Sequence, residues 1–265
     1  MQFSSSSKPD RRAAPKVVGT LRVPFAGDGT RSVPTTLSRA QDCQRLSERL
    51  FTIGHSNHSI ERFVELLRQA EVTAVADVRS SPFSQRYPQF NQPALKQELE
   101  RHGVRYLFLG DELGGRPRDP AVYDGEGRVD YQRVRCTSWF RGGLDRLLIE
   151  LEQQPIAMMC AEEDPLDCHR ALMVCAELVD QGIRPRHVRG AGWIDTTEEL
   201  EDRLLDITGE GGGMIGGLFD ATISPEERAD MLAKAYKAQA ARKAFRLPPG
   251  QGFAALDSFQ EYATE

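Results

Sequence analysis

The residues best suited to chemistry lie together in Cys160-Ala-Glu-Glu-Asp-Pro-Leu-Asp-Cys168-His169-Arg170, a Cys-x7-Cys-His-Arg pattern. Cys160 ends the apolar run Pro155-Ile-Ala-Met-Met-Cys160, and Cys168 opens a helical pattern that runs to Gln181, with Gly182 as its C-cap. A thiol at a helix start is stabilised as a thiolate by free N–H groups and the helix dipole, so Cys168 and Cys160 are candidate nucleophiles. Each also has a plain reading as a buried core cysteine. His169 is the adjacent candidate acid or base. Arg170 sits in the first turn, where a cation calls for a facing negative charge: Asp77, Glu162 or a bound anion.

Other candidates come from distant blocks. Gly54-His55-Ser56-Asn57 places a histidine and two polar side chains after an apolar stretch, so His55 is a candidate general acid or base, and equally a residue that fixes its loop. Ala76-Asp77-Val78-Arg79 ends another apolar run, and Arg79 with Arg170 suggests an anion pocket. Ser56, Asn57, Asp77, Glu162 and Asn91 complete the candidate binding set. Zinc is an alternative for the thiols and histidines, but the spacing lacks a close Cys-x2-Cys or His-x3-His pair, and adjacent Cys168 and His169 rarely reach one ion. No cofactor is therefore expected. Oxidation of Cys160 and Cys168 to a disulfide is a further alternative. Arg86-Tyr-Pro-Gln-Phe-Asn91, with Arg101 and Arg105, offers charge and stacking to a nucleic acid, though it matches no reader motif.

Positioning such residues requires a sheet. Arg49–Gly54, Val72–Val78, Val104–Leu109 and Ile156–Cys160 read as strands, with Arg186–Arg189 a short fifth, and helical patterns lie between them. Alternation of this kind predicts an α/β fold: a mostly parallel sheet of four or five strands with helices on both faces. Ligands in that class sit beyond the carboxyl ends of the strands, where these polar residues collect. A helix from Tyr131 to Gln153 is expected to break near Gly142-Gly143. The Gly/Pro/Asp-rich stretch 110–128 is long enough to cover a site. Residues 1–48 read as a flexible extension, 49–206 as the α/β domain, and 207–265 as a Gly-rich linker with a C-terminal helix over Pro225–Lys243.

The chain has 265 residues and a formal net charge of -5, which excludes a protein that coats nucleic acid by bulk charge. No apolar run approaches the ~20 residues that span a bilayer. The N-terminus lacks the apolar core of a secretory signal, so a cytoplasmic protein is expected, in which five cysteines without a small-scaffold framework read as reduced thiols; the arginines point to a small anionic or nucleotide ligand. The sequence does not set an oligomeric state.

Five ordered blocks carry a family resemblance: Phe51-Thr-Ile-Gly-His-Ser-Asn57, Ala76-Asp-Val-Arg-Ser-Ser-Pro82, Pro88-Gln-Phe-Asn91, Tyr106-Leu-Phe-Leu-Gly-Asp-Glu-Leu-Gly-Gly115, and Cys160-Ala-Glu-Glu with Cys168-His-Arg170. Over about residues 50–205 the chain resembles the domain of unknown function 488 (DUF488) family, which implies a fold and no settled activity. A weaker likeness is to rhodaneses and cysteine phosphatases, whose short Cys-x5-Arg loop is here an acidic Cys-x9-Arg170. That analogy suggests sulfur or phosphoryl transfer. The alternative is a regulatory module that binds a nucleotide or nucleic acid without covalent chemistry.

Overall fold

A computed structural model describes residues 39–211 and 223–248. The strands are β1 (Leu50–Gly54), β2 (Ala74–Asp77), β3 (Arg105–Phe108), β4 (Ile156–Cys160), β5 (Arg186–Val188) and β6 (Ile194–Asp195), in the order β3-β2-β4-β1-β5-β6. All pair in parallel except β6, which runs antiparallel to β5 at the edge. Helices α1 (Arg39–Arg49), α2 (Ile60–Gln69), α3 (Gln92–Arg101), α4 (Gly110–Leu113), α5 (Tyr131–Arg135), α6 (Ser138–Gln153), α7 (Ala176–Asp180), α8 (Thr197–Thr208) and α9 (Pro225–Lys243) accompany them. A π-helical segment, Arg170–Cys175, leads into α7.

The apolar runs of β1, β2 and β4 are buried on both faces because side chains alternate. Leu50, Ala76, Ile156 and Met158 join one core with α6, the π segment and α8, while Phe51, Val75, Ala157 and Met159 join the other with α2 and α3. Helices therefore cover both faces of a mostly parallel sheet, as the alternation of patterns predicts.

Several boundaries differ from the sequence reading. Residues 39–48 belong to α1 rather than to a flexible extension, because Cys43 and Leu46 pack against the first core. The helical stretch from Tyr131 breaks at Cys136-Thr137, not at Gly142-Gly143: Thr137 accepts the amide of Phe140 and caps a new helix. Gly143 instead lets α6 approach α4, since a β-carbon there would come within 2.5 Å of the Glu112 side chain. The stretch 110–128 folds into α4 and a 3-10 turn over Pro120–Val122. β6, only two residues long, has no run that a pattern could reveal.

The C-terminal helix is part of the core. Ala235 is fully buried in it, Met231, Leu232 and Tyr236 pack alongside, and Gln239 donates from a buried amide to the Leu166 carbonyl at 2.9 Å. Residues 1–38 of the expected extension, most of the Gly-rich linker (212–222) and residues 249–265 lie outside the described residues.

Between β5 and β1, fully buried His187 meets the Thr52 hydroxyl through Nδ1 at 2.9 Å. Burial first, then Arg170, Arg189 and Arg203, pull its pKa from 6.5 to about 3. A folded-state pKa below the unfolded one means that the unfolded chain binds the extra proton. Stability is then complete above about pH 6.5 and declines as the pH falls toward 3. Urea unfolding should show the wild type losing about 2 kcal/mol from this group between about pH 7 and pH 5, and His187→Asn should have a correspondingly shallower decline.

Candidate functional site

Parallel pairing puts the carboxyl ends of β1, β2 and β4 on one edge, with Gly54 opposite Cys160 and Asp77 opposite Met159. The ladder continues past the strands: His55 N–H donates to the Cys160 carbonyl, Ser56 N–H to Ala161 and Val78 N–H to Met159. Gly54 is required there because a β-carbon would sit 1.9 Å from the Glu162 carbonyl oxygen. A cleft of about 950 Å³ opens at this edge, lined by His55, Ser56, Arg79, Glu162, both cysteines and His169.

Cys160, Cys168 and His169 converge at its floor. His169 Nδ1 lies 3.8 Å from Cys160 Sγ and 3.7 Å from Cys168 Sγ, and the three donor atoms lie within 4.8 Å of one another. The other ring nitrogen, Nε2, donates to the Val78 carbonyl at 2.9 Å and fixes the ring. Adjacent residues reach one point because the backbone changes conformation between them. Cys168 is extended (φ -133, ψ 141) and His169 is helical (φ -57, ψ -26), which turns both side chains toward Cys160. The objection to a shared ion raised by their adjacency is thereby removed. Gly115 supplies the space for the ring: a β-carbon there would come within 2.8 Å of His169 Nδ1.

Arg170 is fully buried, inside the π turn, and its guanidinium donates to the backbone carbonyls of Glu162 at 2.6 Å and Glu163 at 2.8 Å. Its Nε has no partner among the described residues. The Arg170 amide donates to Cys168 Sγ at 3.4 Å, so the sulfur occupies the place of a capping oxygen. Burial works against a charge on Cys168, but the hydrogen bond from Cys160 and the charges of Arg170 and His169 outweigh it and hold the thiol well below its usual range. Cys160 goes the other way, raised by its bond with Cys168, by burial and by the charges of Cys168 and Glu162. The pair thus shares one proton. Glu162 Oε2, 3.0 Å from Cys160 Sγ, is the second acceptor within reach of that proton, and Glu162 is pushed up by burial and by Cys168.

His55 is 2 % exposed and stacks on Phe90 at 4.3 Å between ring centroids. Burial and the Arg79 charge lower its pKa to about 4, so it is neutral, accepts from Arg79 Nη1 through Nε2 at 3.2 Å and donates from Nδ1 to the Ser56 carbonyl. Arg79 is held by Asp77 at 2.9 Å and 2.6 Å and by the Phe90 carbonyl, and Tyr106 donates to the same carboxylate. Ser56 reaches the cleft through a positive φ of 46. Asn57 is exposed and does not line the cleft. Asn91 sits at the N-cap of α3 without a side-chain cap bond, and its Oδ1 accepts the Ser84 amide at 2.6 Å instead. Two of the four acids between the cysteines are engaged elsewhere: Glu163 binds Arg189 and Asp164 binds Arg203.

The Arg86-Tyr87 pair that the sequence marked for charge and stacking lines the cleft, and so do residues that sequence patterns did not mark. Tyr131 lines it, and its phenol is raised by burial and by Cys168, Cys160 and Glu162. Arg116 lies over the Phe245 ring at 5.0 Å, Arg86 over Tyr87 at 5.4 Å, and Lys243 pairs with Asp167 at 2.8 Å. Only the Gly114-Gly115 pair offered a local signal, as a place of close approach.

Residues 59–176 match the family model described as Domain of unknown function DUF488. This segment is DUF488-like. It holds Asp77, Arg79, Cys160, Glu162, Cys168, His169 and Arg170, and it leaves out His55, β5, α8 and α9. No curated protein and no solved structure matches the chain. Within the described residues no helix is long and apolar enough to cross a membrane.

The Gly115–His169 contact gives a direct check. Gly115→Ala should displace the ring, cost about 1–3 kcal/mol in urea unfolding, and slow alkylation of Cys168 by about tenfold, the equivalent of one pKa unit. Gly142→Ala, which meets open space, should do neither.

Proposed function

We propose that the cleft houses a cysteine-dependent sulfur-transfer site with Cys168 as nucleophile and Cys160 as the second thiol. The observation that carries this reading is Arg170. A guanidinium with no exposed surface, bonded to backbone carbonyls, needs a negative charge beside it, and the sulfur held by its own amide supplies one. His169 beside that sulfur completes a thiolate–imidazolium pair. In this reading the Cys168 thiolate attacks the outer sulfur of a persulfide, the old S–S bond breaks, and the leaving thiolate takes the proton from His169 Nδ1. The persulfide now on Cys168 passes its outer sulfur to an acceptor thiolate. Cys160, protonated and donating to Glu162, keeps the charge on a single sulfur.

Phosphoryl transfer is the weaker form of the reading. Arg79 is engaged by Asp77 and Arg170 by the loop carbonyls, while the Glu162 carboxylate faces the thiols. Those groups offer a phosphoryl oxygen little and repel it. A neutral, polarisable sulfur suits them better. The rim, with Arg86, Arg116 and Lys243 among its side chains, favours an anionic carrier for that sulfur. The same rim, with Tyr87 and Phe245, supports the alternative of a nucleotide- or nucleic-acid-binding module. Either way the thiols must stay reduced, which suits the cytoplasm.

Alkylation separates the two. With the reduced full-length chain near pH 7, iodoacetamide should label Cys168 about tenfold faster than exposed Cys136. A small organic persulfide should leave one extra sulfur on Cys168, and Cys168→Ser should abolish it. Labelling of Cys168 slower than that of Cys136, with no sulfur transferred, would end the enzymatic reading.

A further inference from the structure

We infer that Cys160, Cys168 and His169 also form a soft-metal site, a Cys2His centre for zinc or a similar thiophilic divalent ion, with its fourth position toward the cleft. Tetrahedral zinc, with Zn–S of about 2.3 Å and Zn–N of about 2.0 Å, sets a ligand sulfur about 3.5 Å from a ligand nitrogen. His169 Nδ1 stands 3.8 Å and 3.7 Å from the two sulfurs, and all three donors fit within 4.8 Å. Closing on an ion requires shifts of only a few tenths of an ångström on the nitrogen side.

The surroundings are those that a ligand set needs. His169 gives its Nε2–H to the Val78 carbonyl, which turns Nδ1 toward the sulfurs, ready to exchange its proton for an ion, and fixes the ring by a bond of the kind found behind metal-bound histidines. The Arg170 amide steadies Cys168 Sγ. Glu162 Oε2, 3.0 Å from Cys160 Sγ, can fill the fourth position or orient a water there. Charge also balances: two thiolates and the Glu162 carboxylate offset a divalent ion and the buried Arg170 guanidinium. The ion takes the place of the protons on Cys160 Sγ and His169 Nδ1.

Metal uptake does not depend on sulfur transfer. Its consequence for that reaction does rest on the reading above: an ion occupies the lone pair that Cys168 would use, so a loaded site is silent until the ion leaves.

Cobalt(II) and zinc(II) are the probes. The reduced, metal-free, full-length chain should take up one equivalent of cobalt(II) with an intense thiolate-to-cobalt charge-transfer band that zinc(II) displaces. Zinc(II) should slow alkylation of Cys160 and Cys168 at least tenfold and leave exposed Cys136 unchanged, a readout that needs no variant. Cys160→Ser and Cys168→Ser should each weaken cobalt binding by about 10–100-fold. No stoichiometric uptake, or uptake that persists when both cysteines are serine, overturns the site. A chain whose Cys168 alkylates rapidly yet binds no cobalt ends the metal site and keeps the sulfur-transfer reading. Tight cobalt binding with a sluggish Cys168 does the reverse.

Discussion

The arrangement at the sheet edge depends on one buried charge. Arg170 ties down the loop after β4 through two carbonyls, and its amide holds the sulfur of Cys168. A fully buried guanidinium is costly unless its surroundings answer the charge, and the answer here comes from peptide dipoles and sulfur rather than from a carboxylate. Loop position, thiol ionisation and imidazole protonation are thus parts of one electrostatic balance. The π turn, which begins at Arg170, is a distortion of the kind that recurs at functional positions.

A second balance, beside the first, holds the neighbouring strand tip. Asp77, Arg79, Tyr106 and neutral His55 form a closed network in which each polar atom has a partner, and Phe90 covers the histidine. Such a network is rigid because removing one member strands the others. It forms a wall of the cleft, with the thiols at the floor.

Much of this was readable from sequence where the signal is local. The apolar runs of β1, β2 and β4 and the rule that parallel strands end on one edge place His55, Arg79 and Cys160 together before any coordinates are known. What patterns could not supply was partner choice. Arg170 called for a negative side chain and found carbonyls, Arg79 suggested an anion and found Asp77, and Asn91 suggested a ligand contact and bound the Ser84 amide. These outcomes depend on contacts between residues far apart in the chain. The convergence of Cys168 with His169 was hidden for another reason: it depends on a dihedral change at one junction, which residue types do not report. β6 and the role of Lys243 and Phe245 at the cleft likewise carry no short-range signature.

Phe245 and Lys243 have a further meaning. Cys160, Cys168 and His169 lie in the DUF488-like stretch, whereas this part of the cleft wall comes from a helix and its tail encoded beyond it. The thiol floor and this part of the rim are therefore written in separate passages of the chain. The rim can be redrawn through the tail alone, with the thiol cluster beneath it untouched.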